Sequence, residues 1–179
     1  MIAEKTGVAE EIALLTNLTI KGVIPFESSF KLRVKLLSSV PVSIVRDIAS
    51  SVKLQNKLRR FIRDNRRNSY VVTGNLDVWI ESLARRIGCH VFSSQALCEG
   101  DSLAGIANIL DKRDAIRSLR QRYDRIVAVG DGMNDAPMLE EADVAIAYGG
   151  VHPPVETLVK IAGFVTYHED GLCNILSTL

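Results

Sequence analysis

The sequence predicts an α/β protein: a parallel sheet preceded by an all-helical N-terminal region. Three observations carry this. No β-rich run occurs before Tyr70. Beyond it, short apolar, β-branched runs alternate with helix-period segments, the signature of a doubly wound parallel sheet. The charge balance changes at the same place: residues 1–67 hold 13 Lys/Arg against 6 Asp/Glu, and residues 68–179 hold 9 against 15. The two parts are therefore expected to do different work.

In the first part, Gly22 and Pro25 stop one helix, and Phe30, Val34 and Leu37 form the inward stripe of the next. Pro41 stands where a third helix starts. Leu54, Leu58, Phe61 and Ile62 give a fourth a core-facing stripe. In the second part, Tyr70-Val71-Val72 reads as a buried strand ending at Thr73-Gly74. A helix with Leu76, Ile80, Leu83 and Ile87 on one face follows it. His90-Val91-Phe92 is a short strand, and Glu99-Gly100-Asp101-Ser102 the turn of a hairpin. Residues 113–123 read as helix. Arg125–Val129 and Val144–Tyr148 are strong strands, and Phe164–Tyr167 a last one before a short helix.

Composition narrows the function classes. With 47% apolar and 24% charged residues the chain is globular. Its formal charge of +1 argues against a nucleic-acid binder. The basic segment Lys53–Arg67 lacks interleaved aromatics and reads as a solvated helix face. No apolar run is long enough to span a membrane. Three cysteines without a Cys-x-x-Cys pair argue against a disulfide framework or zinc knuckle and point to the cytoplasm.

The chemistry concentrates in Gly130-Asp131-Gly132-Met133-Asn134-Asp135-Ala136-Pro137, directly after a strand. Ligands of open α/β sheets bind beyond the carboxyl ends of strands. Asp131, Asn134 and Asp135 on a glycine-rich loop suit a hard cation and phosphate oxygens, since Mg²⁺ takes oxygen ligands and shares one or two carboxylates with a phosphate. A bland alternative is an Asp-Gly turn that caps the next helix. Thr73-Gly74-Asn75 offers a hydroxyl and backbone N–H groups to an anion at a helix N-terminus, or simply an N-cap. Lys112 lies between these segments and is, taken alone, an ordinary surface lysine.

Together these residues resemble the haloacid dehalogenase (HAD) superfamily, with Thr73-Gly74 as its second motif, Lys112 as its third and Gly130–Asp135 as its fourth. Within it the chain is most similar to phosphoserine phosphatase and its close relatives. Pro25–Val34 resembles the helical-cap signature of that family, and Gly100–Gly105 the hairpin before the motif lysine. The resemblance implies a HAD-like Rossmannoid core over residues 68–179, a helical cap over residues 1–67, and Mg²⁺-dependent phosphomonoester hydrolysis through an aspartyl phosphate. By the same resemblance Asp131 and Asp135 hold the metal, and Thr73, Gly74, Lys112 and Asn134 hold the phosphoryl group. Phe26 and Arg33 contact substrate, the arginine through a carboxylate.

One part of the family pattern is absent. The 179 residues contain no Asp-x-Asp, the motif whose first aspartate is the nucleophile and whose second is the general acid and base. No catalytic residue is therefore assigned, Mg²⁺ binding is expected to be weakened, and the chain alone is expected to be inactive. The motif and its strand, on the order of 20 residues, are expected before Met1. That strand would be the central one, between Tyr70–Val72 and Val127–Val129. Without it, buried backbone groups costing about 1–3 kcal/mol each stay unpaired. Either the two strands pair directly, a homodimer or strand-donating partner fills the gap, or the protein starts upstream. Two other readings remain: a non-catalytic remnant that binds a phosphorylated ligand or protein partner, and a P-type ATPase-like domain, echoed by Glu4-Lys5-Thr6-Gly7-Val8. Residues 4–8 read as a helix start. Gly149–Pro154 departs from the family's Lys-Pro-type segment, which leaves the substrate open, and His152 there is a candidate proton donor or a plain loop residue. His90, His168 and the cysteines read as structural, and Trp79 as core.

Overall fold

The computed structural model describes residues 9–179; the Glu4–Val8 helix start lies outside them. Four helices come first: α1 (Ala9–Ile20), α2 (Phe26–Leu37), α3 (Val42–Ser50) and α4 (Asn56–Asp64). Gly22, at φ 73°, breaks the chain after α1, and Pro25 and Pro41 occupy the N-caps of α2 and α3. The stripe Phe30, Val34 and Leu37 is buried as the sequence implies. The stripe on α4 is only half-buried, and Leu54 falls in the connection before that helix. Its basic residues stay exposed, while Lys57 pairs with Asp170.

The α/β part continues with β1 (Tyr70–Leu76), α5 (Asp77–Ile87), β2 (His90–Glu99), β3 (Ser102–Asn108), α6 (Lys112–Arg120), β4 (Val127–Gly130), α7 (Ala136–Glu141), β5 (Val144–Tyr148), α8 (Glu156–Ile161), β6 (Phe164–Thr166) and α9 (Glu169–Thr178). β1 runs parallel to β2, and β2 turns into the antiparallel hairpin β2–β3 at Gly100-Asp101. β4, β5 and β6 form a second parallel set. β2 is ten residues long, because its second half pairs with β3 rather than continuing the parallel sheet. That half lacks the apolar run by which His90–Phe92 is recognised as a strand.

The strands thus fall into two three-stranded sheets, β1-β2-β3 and β4-β5-β6. Among the described residues β1 and β4 do not pair directly with each other. They are held together by side chains instead. Tyr70 and Val72 pack on the cluster of Ile116, Leu119, Ile126 and Ala128, and the Tyr70 and Tyr123 hydroxyls share a hydrogen bond of 2.9 Å. A second cluster joins the helical region to the sheet: Phe30, Val34, Leu37 and Val45 meet Leu76, Trp79 and Leu103. The β2–β3 turn also caps α3, since Asp101 accepts from the Ser43 N–H (2.8 Å) and hydroxyl (2.6 Å). Among the described residues no helix is long and apolar enough to cross a membrane.

Leu76 is fully buried where β1 ends under the helical region. Leu76→Ala should cost about 2–5 kcal/mol, the range for a leucine deleted from a packed core. Urea unfolding would read this as a lower midpoint at unchanged slope.

Candidate active site

The site grows from the end of β4. After Gly130 the chain turns through Asp131 and Gly132 into a single 3₁₀ turn, Met133–Asp135, and then α7. Asp135 closes that turn and is 5% exposed. One carboxylate oxygen accepts from the backbone N–H groups of Asp131 (2.9 Å) and Gly132 (3.1 Å). The other accepts from Lys112 Nζ. A Cβ at position 130 would run into the Asp135 side chain, so the loop requires glycine there. The Asp131 carbonyl accepts from Val155 N (3.0 Å), which ties the loop after β5 to the same strand end.

Lys112 is the first residue of α6, whose N-cap Asp111 accepts from Arg113 N at 2.9 Å. Its side chain is nearly as enclosed as that of Asp135, 12% against 7% exposed. A surface lysine is thus excluded. Burial disfavours the Asp135 anion, but Lys112 and the two backbone N–H groups outweigh it, and the carboxyl lies below its ordinary range. Asp131 goes the other way: burial first, and then the Asp135 charge, push its carboxyl up, while His152 and Lys112 oppose the shift. Two carboxylates of one loop therefore sit in opposite states of comfort, and Asp131 is the one whose charge lacks compensation.

Thr73-Gly74-Asn75 does not open a helix. It lies inside β1, and α5 starts at Asp77 with Leu76 as N-cap. Thr73 Oγ1 accepts from Asn75 N (3.2 Å), folding the strand end on itself. The apolar run stops at Thr73–Asn75, which is why the sequence ends the strand at Thr73-Gly74, short of Leu76. The Phe26 ring covers Gly74 so closely that a Cβ there would collide with it. Phe26 in turn stacks on Phe30 at 5.4 Å. Arg33 lies over both rings at 5.9 and 5.8 Å, and its Nε donates to Ser29 O at 3.4 Å. Asn134 Oδ1 would lie 2.9 Å from a Cβ at Gly132, so this amide crosses the loop beside Asp131.

The structure therefore joins Lys112, Asp135 and the Asp131 backbone in direct contact, and seats Phe26 on Gly74. Arg33 is held within α2 and does not line the cleft of about 430 Å³ beside Lys112 and Asn134. Ser94 is a residue that the sequence reading misses. It is fully buried; its hydroxyl donates to Gly74 O (2.9 Å) and accepts from Leu110 N (3.1 Å). It thereby ties the end of β1 to the segment that delivers Lys112. The only signal was a polar pair, Ser93-Ser94, after the apolar start of β2.

Comparison with known proteins gives this site its context. The family model of haloacid dehalogenase-like hydrolases matches residues 9–140. The chain belongs to that family. It is 29% identical to phosphoserine phosphatase of Lactococcus lactis over all of this chain and 85% of that protein. It is 28% identical to the enzyme of Archaeoglobus fulgidus over 98% of this chain and 54% of that one, so it spans about half the length of that relative. A solved substrate-bound phosphoserine phosphatase complex superposes with a TM-score of 0.84 at 25% identity, covering 99% of this chain and 89% of that one. A copper-transporting ATPase of Rhizobium meliloti is 39% identical, over 44% of this chain but 8% of its own length. The chain is a HAD-fold protein similar to phosphoserine phosphatases, with the parallel sheets and flanking helices of that fold.

The charge imbalance sets a measurable expectation. A carboxyl whose folded pKa is raised above its unfolded value costs stability as pH climbs above that value, 3.8 for Asp131. Asp131→Asn removes the cost. In metal-free buffer at neutral pH it should stabilise the protein, by no more than about 1 kcal/mol because the group is half-exposed and screened. The advantage should vanish below about pH 4. Asp135→Asn should do the reverse at neutral pH. Its depressed pKa means that its contribution is present above the ordinary value of 3.8 and is lost as pH falls through the folded value. Thermal melts of the two variants from pH 3 to pH 8 check both signs.

Proposed function

We propose that this chain is the cap and core of a Mg²⁺-dependent phosphomonoesterase of phosphoserine-phosphatase type, acting on a small phosphorylated metabolite in the cytoplasm. The single observation that carries this reading is the enclosed Lys112–Asp135 pair at the end of β4, braced by the N–H groups of Asp131 and Gly132. An enclosed ammonium fixed at a strand end is a preorganised receptor for phosphoryl oxygens. Lys112, Asn134, Thr73 and Gly74 hold those oxygens in this reading.

The donor set fits a hard cation in part. Asp131 is a half-buried carboxylate with uncompensated charge, as a metal ligand before binding should be. Asp135 has both oxygens engaged and serves a cation through water. Among the described residues no group of three metal-ligating side chains gathers there. Bound Mg²⁺ would neutralise charge on the phosphoryl oxygens. Neither aspartate suits in-line attack: Asp135 is locked by Lys112 and the loop, and Asp131 would be taken up as a ligand of the metal. We therefore infer that this chain alone performs no covalent turnover. A carboxylate would have to arrive on a strand between β1 and β4. A second reading is a non-catalytic binder of phosphorylated ligands, with the same Lys112–Asp135 pair as its receptor.

Phosphate release from phosphoserine and from an aryl phosphate, with Mg²⁺ and with EDTA, tests the reading alongside calorimetric binding of inorganic phosphate. Phosphate should bind in the presence of Mg²⁺ without turnover, and Lys112→Ala should weaken binding about tenfold or more, the loss of one charge-assisted bond. Metal-dependent turnover that disappears in Asp131→Ala would overturn the claim of inactivity. Phosphate binding unchanged in Lys112→Ala would overturn the site assignment.

A further inference from the structure

The segment Gly149–Pro154, between β5 and α8, is clamped at both ends by different parts of the chain. At its far end Val155 N donates to Asp131 O at 3.0 Å, which fastens the segment to the loop after β4. At its near end the partner is Gln55, the N-cap residue of α4. The Tyr148 hydroxyl donates to Gln55 Oε1 at 2.7 Å, and Gln55 Nε2 donates to Gly150 O at a longer 3.5 Å. One amide side chain thus grips both the last residue of β5 and the segment that follows it. The two positions after Tyr148 require glycine. A Cβ at Gly150 would collide with the Tyr148 phenol, and one at Gly149 with the Tyr167 ring. Gly149 N also donates to Thr166 O at 2.8 Å, which adds β6 to the near clamp. Between the two clamps stands His152, whose charge opposes the rise of the Asp131 carboxyl.

We propose that Gln55 and Tyr148 are positioning residues for a divalent cation at Asp131: they fix the Gly149–Pro154 segment, and through Val155 they hold the Asp131 loop in the conformation that ligates the ion. The inference rests on Asp131 being a ligand of the cation, as proposed above. A ligand that must be immobilised on binding subtracts from affinity, so a metal site gains from groups that orient its ligands beforehand. Here the orienting groups act on the backbone. The Asp135 carboxylate holds the Asp131 N–H, and Val155 N holds the Asp131 carbonyl. The two peptide groups that flank the Asp131 α-carbon are therefore fixed by different elements, and together they aim its side chain. The first anchor belongs to the loop itself. The second is only as firm as the segment behind Val155, and that segment is held by Gln55 and Tyr148. Gln55 stands where the chain enters α4, so the helical region reaches the metal end of the site through this one amide.

Mn²⁺ takes the same oxygen ligands as Mg²⁺ and is paramagnetic, so it reads the site without turnover. The purified chain and its variants are titrated with Mn²⁺ in phosphate buffer, and free ion is followed by electron paramagnetic resonance. Gln55→Leu and Tyr148→Phe should each weaken Mn²⁺ binding about threefold or more, the loss of one neutral hydrogen bond. The double variant should bind no more weakly than Gln55→Leu, because both changes cut the same clamp. Tyr123→Phe is the control for general loosening: it loses the hydrogen bond to Tyr70 at the opposite end of the strands. It should lower the melting temperature and leave Mn²⁺ affinity unchanged. Mn²⁺ affinity unaltered in Gln55→Leu and Tyr148→Phe would overturn the proposal, whatever their melting temperatures. So would an equal loss in Tyr123→Phe. Tyr148→Phe keeps the ring beside Gly150 and decides the matter if Gln55→Leu fails to fold. Wild-type chain that binds no Mn²⁺, or binds it equally well as Asp131→Asn, would overturn the reading of Asp131 as a ligand, and this one with it.

Discussion

The carboxylate of Asp135 is the constraint on which the site depends. It is nearly inaccessible to water, and it joins three separate parts of the chain: the loop after β4, the start of α7 and the first residue of α6. A buried charge is tolerated only when paired and hydrogen-bonded. Asp135 meets both conditions, with an ammonium on one oxygen and two N–H groups on the other. The consequence reaches the backbone. Gly130 has to be glycine because the Asp135 side chain fills the space above it. The loop is thus shaped by electrostatics, and its amides point at one spot because the carboxylate requires them to.

The second dependence is steric. The helical region and the α/β part share one apolar cluster, and its edge, Phe26, rests on Gly74 at the end of β1. A side chain at position 74 would lift the ring and with it the first turn of α2. Ser94 completes the link from the other side, since one hydroxyl satisfies both Gly74 O and Leu110 N. Lys112, two residues beyond Leu110, therefore takes its position from β1 and β2 as well as from its own helix. The end of β1, the segment before Lys112 and the apolar cluster thus form one packed unit.

Most of this architecture was legible because it rests on local rules. Pro25, Pro41 and Gly22 mark helix boundaries through backbone geometry alone. The stripe Phe30, Val34 and Leu37 declares its face by period. The hairpin at Gly100-Asp101 follows from turn chemistry. What was not legible depends on partners distant in sequence. Thr73-Gly74-Asn75 stays in β1 because Ser94 and Phe26 hold it there, which no pattern of seven residues encodes. The burial of Lys112 exists only because Asp135, twenty-three residues away, needs a counter-ion. Ser94 carried the weakest signal, because a serine in a strand is ordinarily a surface residue.

The relation between the two sheets follows the same division. Parallel strands are usually buried on both faces and joined by hydrogen bonds to a neighbour on each side. β1 and β4 keep the buried character, with Val72 and Ala128 in one cluster, while among the described residues they lack mutual hydrogen bonds. Side-chain burial is non-directional and tolerates this arrangement. Apolar packing therefore fixes where β1 and β4 lie, and with them the two strand ends that carry Thr73 and Asp131.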